Sequence, residues 1–256
     1  MRTILGQLKA STLQLFPNTK YRLILVVLVL TAAFISVSEL AVAKLFTQLI
    51  LHEGEMTRTQ IILYVCGFFI FFGGTRAGHY FQRIYRVNVF DRAFKASEEQ
   101  INRVKENWRW SLAFELTTLL SIFMQMGVII IFFTFLNWKF GLLNIVVVMV
   151  IFQILGTIFR KQLKSQRGFV KAKIRKEHIP NSVKIGTRIR SGETGILLSG
   201  LAMLILFGAL IALSFNGEIS PSNTVVVFFG LRMQSSSLSN ISSGLMRFAR
   251  ARTHSE

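Results

Sequence analysis

Gly127-Val128-Ile129-Ile130-Ile131-Phe132-Phe133-Thr134-Phe135-Leu136-Asn137-Trp138-Lys139-Phe140 is the stretch that decides the fold. Residues 127–135 are apolar on every face, and residues 145–152 beyond the Asn137-Trp138-Lys139 turn are apolar in the same way. A transmembrane β-strand alternates lipid-facing and lumen-facing residues, and no such alternation is present here. A continuous apolar run satisfies its own backbone in lipid only as a helix, and spanning a hydrocarbon core of about 30 Å takes about 20 such residues. The quoted stretch therefore predicts the end of one transmembrane helix, a tight turn, and the start of the next.

Working outward, the same test predicts six spans, at about 23–51, 61–78, 112–136, 140–159, 196–215 and 221–245. The sixth is the least apolar. Whole-chain composition agrees, with 52% hydrophobic and 16% charged residues and a mean hydropathy of +0.50, where soluble domains carry about 25% charged residues. Cys66 is the only cysteine and lies inside an apolar run, which excludes an internal disulfide and a thiolate metal cluster. The expected class is an all-α membrane protein with six transmembrane helices and cytoplasmic helical extensions.

The net charge of +18 raises nucleic-acid binding, but the basic residues fall between apolar runs rather than on one soluble face. Their distribution sets orientation instead, because short cytoplasmic loops retain Lys and Arg. Arg2, Lys9, Lys20 and Arg22 precede the first span, eight basic residues lie in 76–109, eleven lie in 160–190, and Arg247, Arg250 and Arg252 follow the sixth span. Only Lys44, Arg58 and Lys139 fall on the other side, with Arg232 inside the sixth span. Both termini are predicted to be cytoplasmic. No cleavable signal peptide is expected, since residues 1–16 lack a continuous apolar core. Ile4, Leu5, Leu8, Leu15 and Phe16 give that segment an amphipathic helix, residues 1–19, lying along the inner membrane surface. Residues 20–256 form the six-helix domain, with helical excursions at about 79–109 and 160–193.

An amphipathic elbow, two long cytoplasmic excursions and minimal outside turns, in this order, resemble the transmembrane domain of ABC exporters. Phe34-Ile35-Ser36-Val37-Ser38-Glu39-Leu40 is similar to the first helix of lipid-linked oligosaccharide and lipid flippases in that family. Asn216-Gly217-Glu218-Ile219-Ser220, residues 225–231, Leu238-Ser239-Asn240 and Ala249-Arg250-Ala251-Arg252 are similar to the run from the last outside turn through helix six. The resemblance implies a homodimer, or a pair with a related subunit, in a bacterial inner membrane. It implies alternating access driven by ATP hydrolysis, and coupling to a nucleotide-binding ATPase near Asn102, His178, Pro180 and Asn181. Two departures stand out: the excursions are shorter than usual, and no nucleotide-binding domain follows helix six within this sequence. Ser191-Gly192-Glu193-Thr194-Gly195 lacks the lysine of a P-loop. Leu198-Ser199-Gly200 is embedded in an apolar run. The chain itself is thus expected to be no enzyme and to bind no cofactor, with ATP acting through a separate ATPase or one encoded downstream of Glu256.

Candidate path residues are the ionisable and hydroxyl groups inside the spans, which usually face a cavity or a partner. At 100° per residue, Arg232, Ser236, Ser239, Ser243, Arg247 and Arg250 share one face of helix six, broadly opposite Leu231, Leu238, Ile241, Leu245 and Phe248. That stripe fits either a substrate path or close helix packing through small residues. Arg232 lies about eleven residues from the outer end, roughly 16 Å deep at 1.5 Å per residue. Glu39 is its candidate partner. Glu39 fits a structural ion pair or a coupling role equally well, whereas Glu115, shallow in helix three, is expected to snorkel to the interface. Gly74 and Gly78 have the spacing of helix contacts. The four histidines are scattered and predict no metal site. A proton-coupled secondary transporter using Glu39 or Glu115, and a non-transporting scaffold subunit, remain the alternatives.

Overall fold

A computed structural model describes residues 2–51, 56–96 and 103–255. Among the described residues the protein is 92% helical and has no strand. The helices are α1 (Arg2–Leu15), α2 (Thr19–Ile50), α3 (Arg58–Lys95), α4 (Arg103–Leu136), α5 (Trp138–Ile174), α6 (Asn181–Phe215) and α7 (Pro221–Ser255).

The decisive turn forms because Asn137 caps α5. Its side chain accepts a hydrogen bond from the Phe140 amide at 3.0 Å, satisfying a donor that the first helical turn leaves open. The other end of that amide donates to the Glu218 carbonyl at 3.3 Å, and Lys139 pairs with Glu218 at 2.9 Å, so two turns at this end of the bundle are joined. Asn18 caps α2 through the Lys20 amide at 3.0 Å. Thr57 and Gln60 form a reciprocal capping box at the start of α3.

Five helices, α2 to α6, are long and apolar enough to cross a membrane, which fits an integral membrane protein. The expected sixth span, α7, is as long at 35 residues but falls outside that set because serine, asparagine and arginine dilute it. Its position explains how it tolerates them. Central in the fold, α7 packs against α2, α4, α5 and α6, with Val226, Val227, Leu231, Leu238, Ile241, Leu245 and Phe248 fully buried. A helix shielded by neighbours needs only one apolar face, whereas a lipid-surrounded one needs all of them.

At the periphery, α3 packs chiefly on α2 and leaves Ile62, Leu63, Phe69 and Ile70 exposed. The Gly78 contact explains the close α2–α3 approach, since a Cβ there would sit 2.8 Å from Ile35. Both α3, with 38 residues, and α5, with 37, reach about 55 Å at 1.5 Å per residue, well past a core of about 30 Å.

The expected amphipathic first segment forms α1, which turns Ile4, Leu8, Ser11 and Leu15 into the protein. Phe16 continues that contact by packing on Phe90 and Phe94, and Arg252 of α7 donates to the Ser11 hydroxyl and the Gln7 carbonyl. The spacing that makes a helix amphipathic does not say whether lipid or protein covers the apolar side.

Candidate functional site

The apolar ridge of α7 fixes the helix rotation, and so aims the opposite face away from the bundle. Arg232, Ser236, Asn240, Arg247 and Arg250 are exposed along it, and Ser239 and Ser243 are half-buried. The serines used for helix packing lie on the other side. Ser242 is fully buried and donates to the Gly192 carbonyl of α6 at 2.9 Å, and a Cβ at Gly195 would collide with Ser242 and Leu155. The path candidates and the packing seam thus occupy different faces of the same helix.

At the N-terminal end of the stripe, α2, α4 and α7 line an open-sided cavity of about 520 Å³. Glu39 and Ser36 enter from α2, Gln125 from α4, and Arg232, Ser236 and Asn240 from α7. Glu39 and Arg232 therefore share a cavity, but the expected direct pair between them does not form. Glu39 instead meets His79 of α3, with Oε1 and Nε2 3.5 Å apart, and among the described residues no carboxylate lies within 4 Å of Arg232. That leaves a fixed positive charge facing the open side.

Further along the stripe, Glu115 departs from its expected snorkelling position. Its side chain is 18% exposed and its Oε1 accepts from Arg247 Nε at 2.6 Å, with the Arg86 charge also close enough to act on it. An acid near the start of the apolar span predicted from residue 112 was readable as shallow. Its capture by a guanidinium 132 residues away was not. Arg247 also reaches Ser243 at 3.4 Å, tying the ion pair to the stripe.

At the C-terminal end of α7, Arg250 lies 5.2 Å above the Trp108 ring, and His254 stacks on the same ring at 4.5 Å. Burial first, then the charges of Arg250 and Lys173, hold the His254 imidazole below its ordinary range. Of the expected coupling residues, His178 and Pro180 are exposed in the turn between α5 and α6, and Asn181 opens α6. Asn102 lies outside the described residues.

Sequence reading missed His79, Gln125 and one buried pair. Asn144 of α5 and Gln234 of α7 are both fully buried and exchange amide hydrogen bonds of 3.0 and 2.6 Å. An amide inside an apolar run such as 142–150 was the available signal, because a polar group in that setting needs an interhelical partner. Among the described residues no group of three or more His, Cys, Asp or Glu side chains could hold a metal ion. In comparisons with known proteins, no family model and no curated protein matches this sequence.

Proposed function

We propose that this chain is the membrane-spanning half of a transporter, pairing with a second copy or a related subunit around the cavity of Glu39, Arg232, Ser236 and Asn240. The observation that carries this reading is the outward polar face of α7, which keeps Arg232 and Ser236 exposed beside an open-sided cavity. Arginine facing lipid near mid-depth costs on the order of 3 kcal/mol. A water-filled space completed by a second subunit removes that cost, and gives the open side of the cavity a wall. In this reading α7 is the sixth span, the layout is that of an ABC exporter, and a separate or downstream ATPase drives alternating access. The unpaired charge of Arg232 favours a substrate with an anionic group, such as a lipid-linked, glycan or peptide species.

A second reading is favoured by the Glu39–His79 contact at 3.5 Å. Two protonatable side chains at the cavity edge would suit a proton-coupled secondary transporter. Collapsing the proton gradient separates the two, since it abolishes flux in the second case and leaves ATP-driven flux in the first.

The direct test uses membranes carrying a Cys66→Ala background. Ser239→Cys and Ser243→Cys are expected to react with small hydrophilic thiol reagents, and Arg232→Ala is expected to leave the dimer assembled while impairing transport. Inert cysteines together with dissociation of the Arg232→Ala dimer would make the stripe a packing seam and remove the reading.

A further inference from the structure

Where α5, α6 and α7 run on past their apolar segments, they enclose a second cavity of about 450 Å³. Lys173 comes from α5, Lys184 and Arg188 from α6, and Arg250 with His254 from α7. No carboxylate lines it among the described residues. None of these four Lys and Arg side chains has a carboxylate within 4 Å among those residues either. The charges act on one another, since Arg188 opposes the charge of Arg250, and Arg250 and Lys173 both oppose protonation of His254. Gln166 adds a different kind of signal. It is 5% exposed, it lines the cavity, and its side-chain amide has no hydrogen-bond partner among the described residues.

A bias of basic residues toward the cytoplasm accounts for how many Lys and Arg occur here. It does not account for four of them converging on one cavity with a buried amide in its wall. Like charges gathered without counter-ions repel, and a polyanion between them adds attractive terms that offset the repulsion. Asn181, also in the lining, is the first residue of α6, whose N-cap position is Pro180 and has no side-chain cap. The positive end of that helix dipole therefore adds to the same field. The volume is in the range of small-ligand sites, about 300–1,000 Å³.

We propose that this cavity binds a phosphate ester carrying two or more negative charges, through Lys173, Lys184, Arg188 and Arg250 with Gln166 as a neutral hydrogen-bonding group. A lipid headgroup of the inner leaflet and a soluble phosphate compound share that chemistry. The proposal does not depend on the transport reading, because none of these residues belongs to the Glu39–Arg232 cavity.

Trp108 provides the readout, since Arg250 and His254 both lie against its ring. The full chain in uncharged detergent is titrated with inorganic pyrophosphate. In parallel it is embedded in phosphatidylcholine nanodiscs with or without phosphatidic acid. A saturable change in tryptophan emission, absent from Trp108→Phe, is expected with at least one probe; pyrophosphate alone identifies a soluble source, and phosphatidic acid alone identifies a headgroup. The pair Lys184→Gln with Arg188→Gln is expected to weaken binding about tenfold or more, where tenfold corresponds to about 1.4 kcal/mol. Lys161→Gln with Lys164→Gln, which removes the same charge from exposed positions outside the cavity, is expected to leave binding intact. The charge-keeping pair Lys184→Arg with Arg188→Lys is expected to retain it, which guards against loss through misfolding. No saturable response to either probe, or equal weakening by the two glutamine pairs, would overturn the proposal.

Discussion

At the scale of single residues, His254 offers a sharp measurement. Its neutral form is favoured in the fold by burial and by the facing charges of Arg250 and Lys173, while Lys184 and Arg188 also border that cavity. The folded state therefore takes up its proton at a lower pH than the unfolded chain, whose ordinary value is about 6.5. The sign follows: the stability contributed by the neutral ring is present above that value and is lost as pH falls through the depressed folded one. Protonation also places an imidazolium against Trp108. Trp108 emission is expected to fall with a midpoint below pH 6.5, and His254→Gln should flatten the curve; a midpoint above that value would contradict the depression. Such proximity was invisible in sequence, because Trp108 and His254 sit on different helices far apart in the chain. What was legible were single-helix quantities: the phase of Ser236, Ser239 and Ser243 relative to Leu238 and Ile241, and the isolation of Glu39 in an apolar run. The partners of Glu39 and Glu115 depend on how α3 and α7 lie beside α2 and α4, and periodicity carries no information about that.

Among the elements, two helix ends make a matched comparison. α5 and α6 both end in the same motif. Lys176 N–H donates to Lys173 and Glu177 N–H to Ala172, while Gly217 N–H donates to Ser214 and Glu218 N–H to Leu213. In each case the residue after the cap is left-handed, Lys176 with φ 59° and Gly217 with φ 72°. Glycine adopts that conformation freely, whereas an L side chain costs about 1 kcal/mol or more. Lys176→Gly is expected to slow hydrogen exchange at the Lys176 and Glu177 amides about fivefold, the factor equivalent to about 1 kcal/mol. Gly217→Ala is expected to speed exchange at Glu218 by a similar factor. Helix existence was readable from the apolar runs, while the ends are set by local caps such as Asn137 and Asn18, each acting within three residues. The expected sixth span was not readable in the same way: α7 is not apolar enough to count among the five candidate spans, and neighbouring helices cover its Leu231, Leu238 and Phe248.

For the whole molecule, the asymmetry of basic residues predicts which end of the bundle faces the cytoplasm. In a Cys66→Ala background, Asn216→Cys is expected to react with an impermeant thiol reagent applied outside intact cells, and Glu177→Cys to react only after permeabilisation. The reverse pattern would invert the topology. The fold also fastens its first helix to its last. Arg252 is 9% exposed and is held by Ser11 and the Gln7 carbonyl, so separating α1 from α7 would take two hydrogen-bond acceptors from a largely buried guanidinium. In mechanical terms the pair is a tether: a tilt or rotation of the C-terminal end of α7 pulls first on Ser11 and Gln7 of α1, a helix that otherwise packs on α4 and α5.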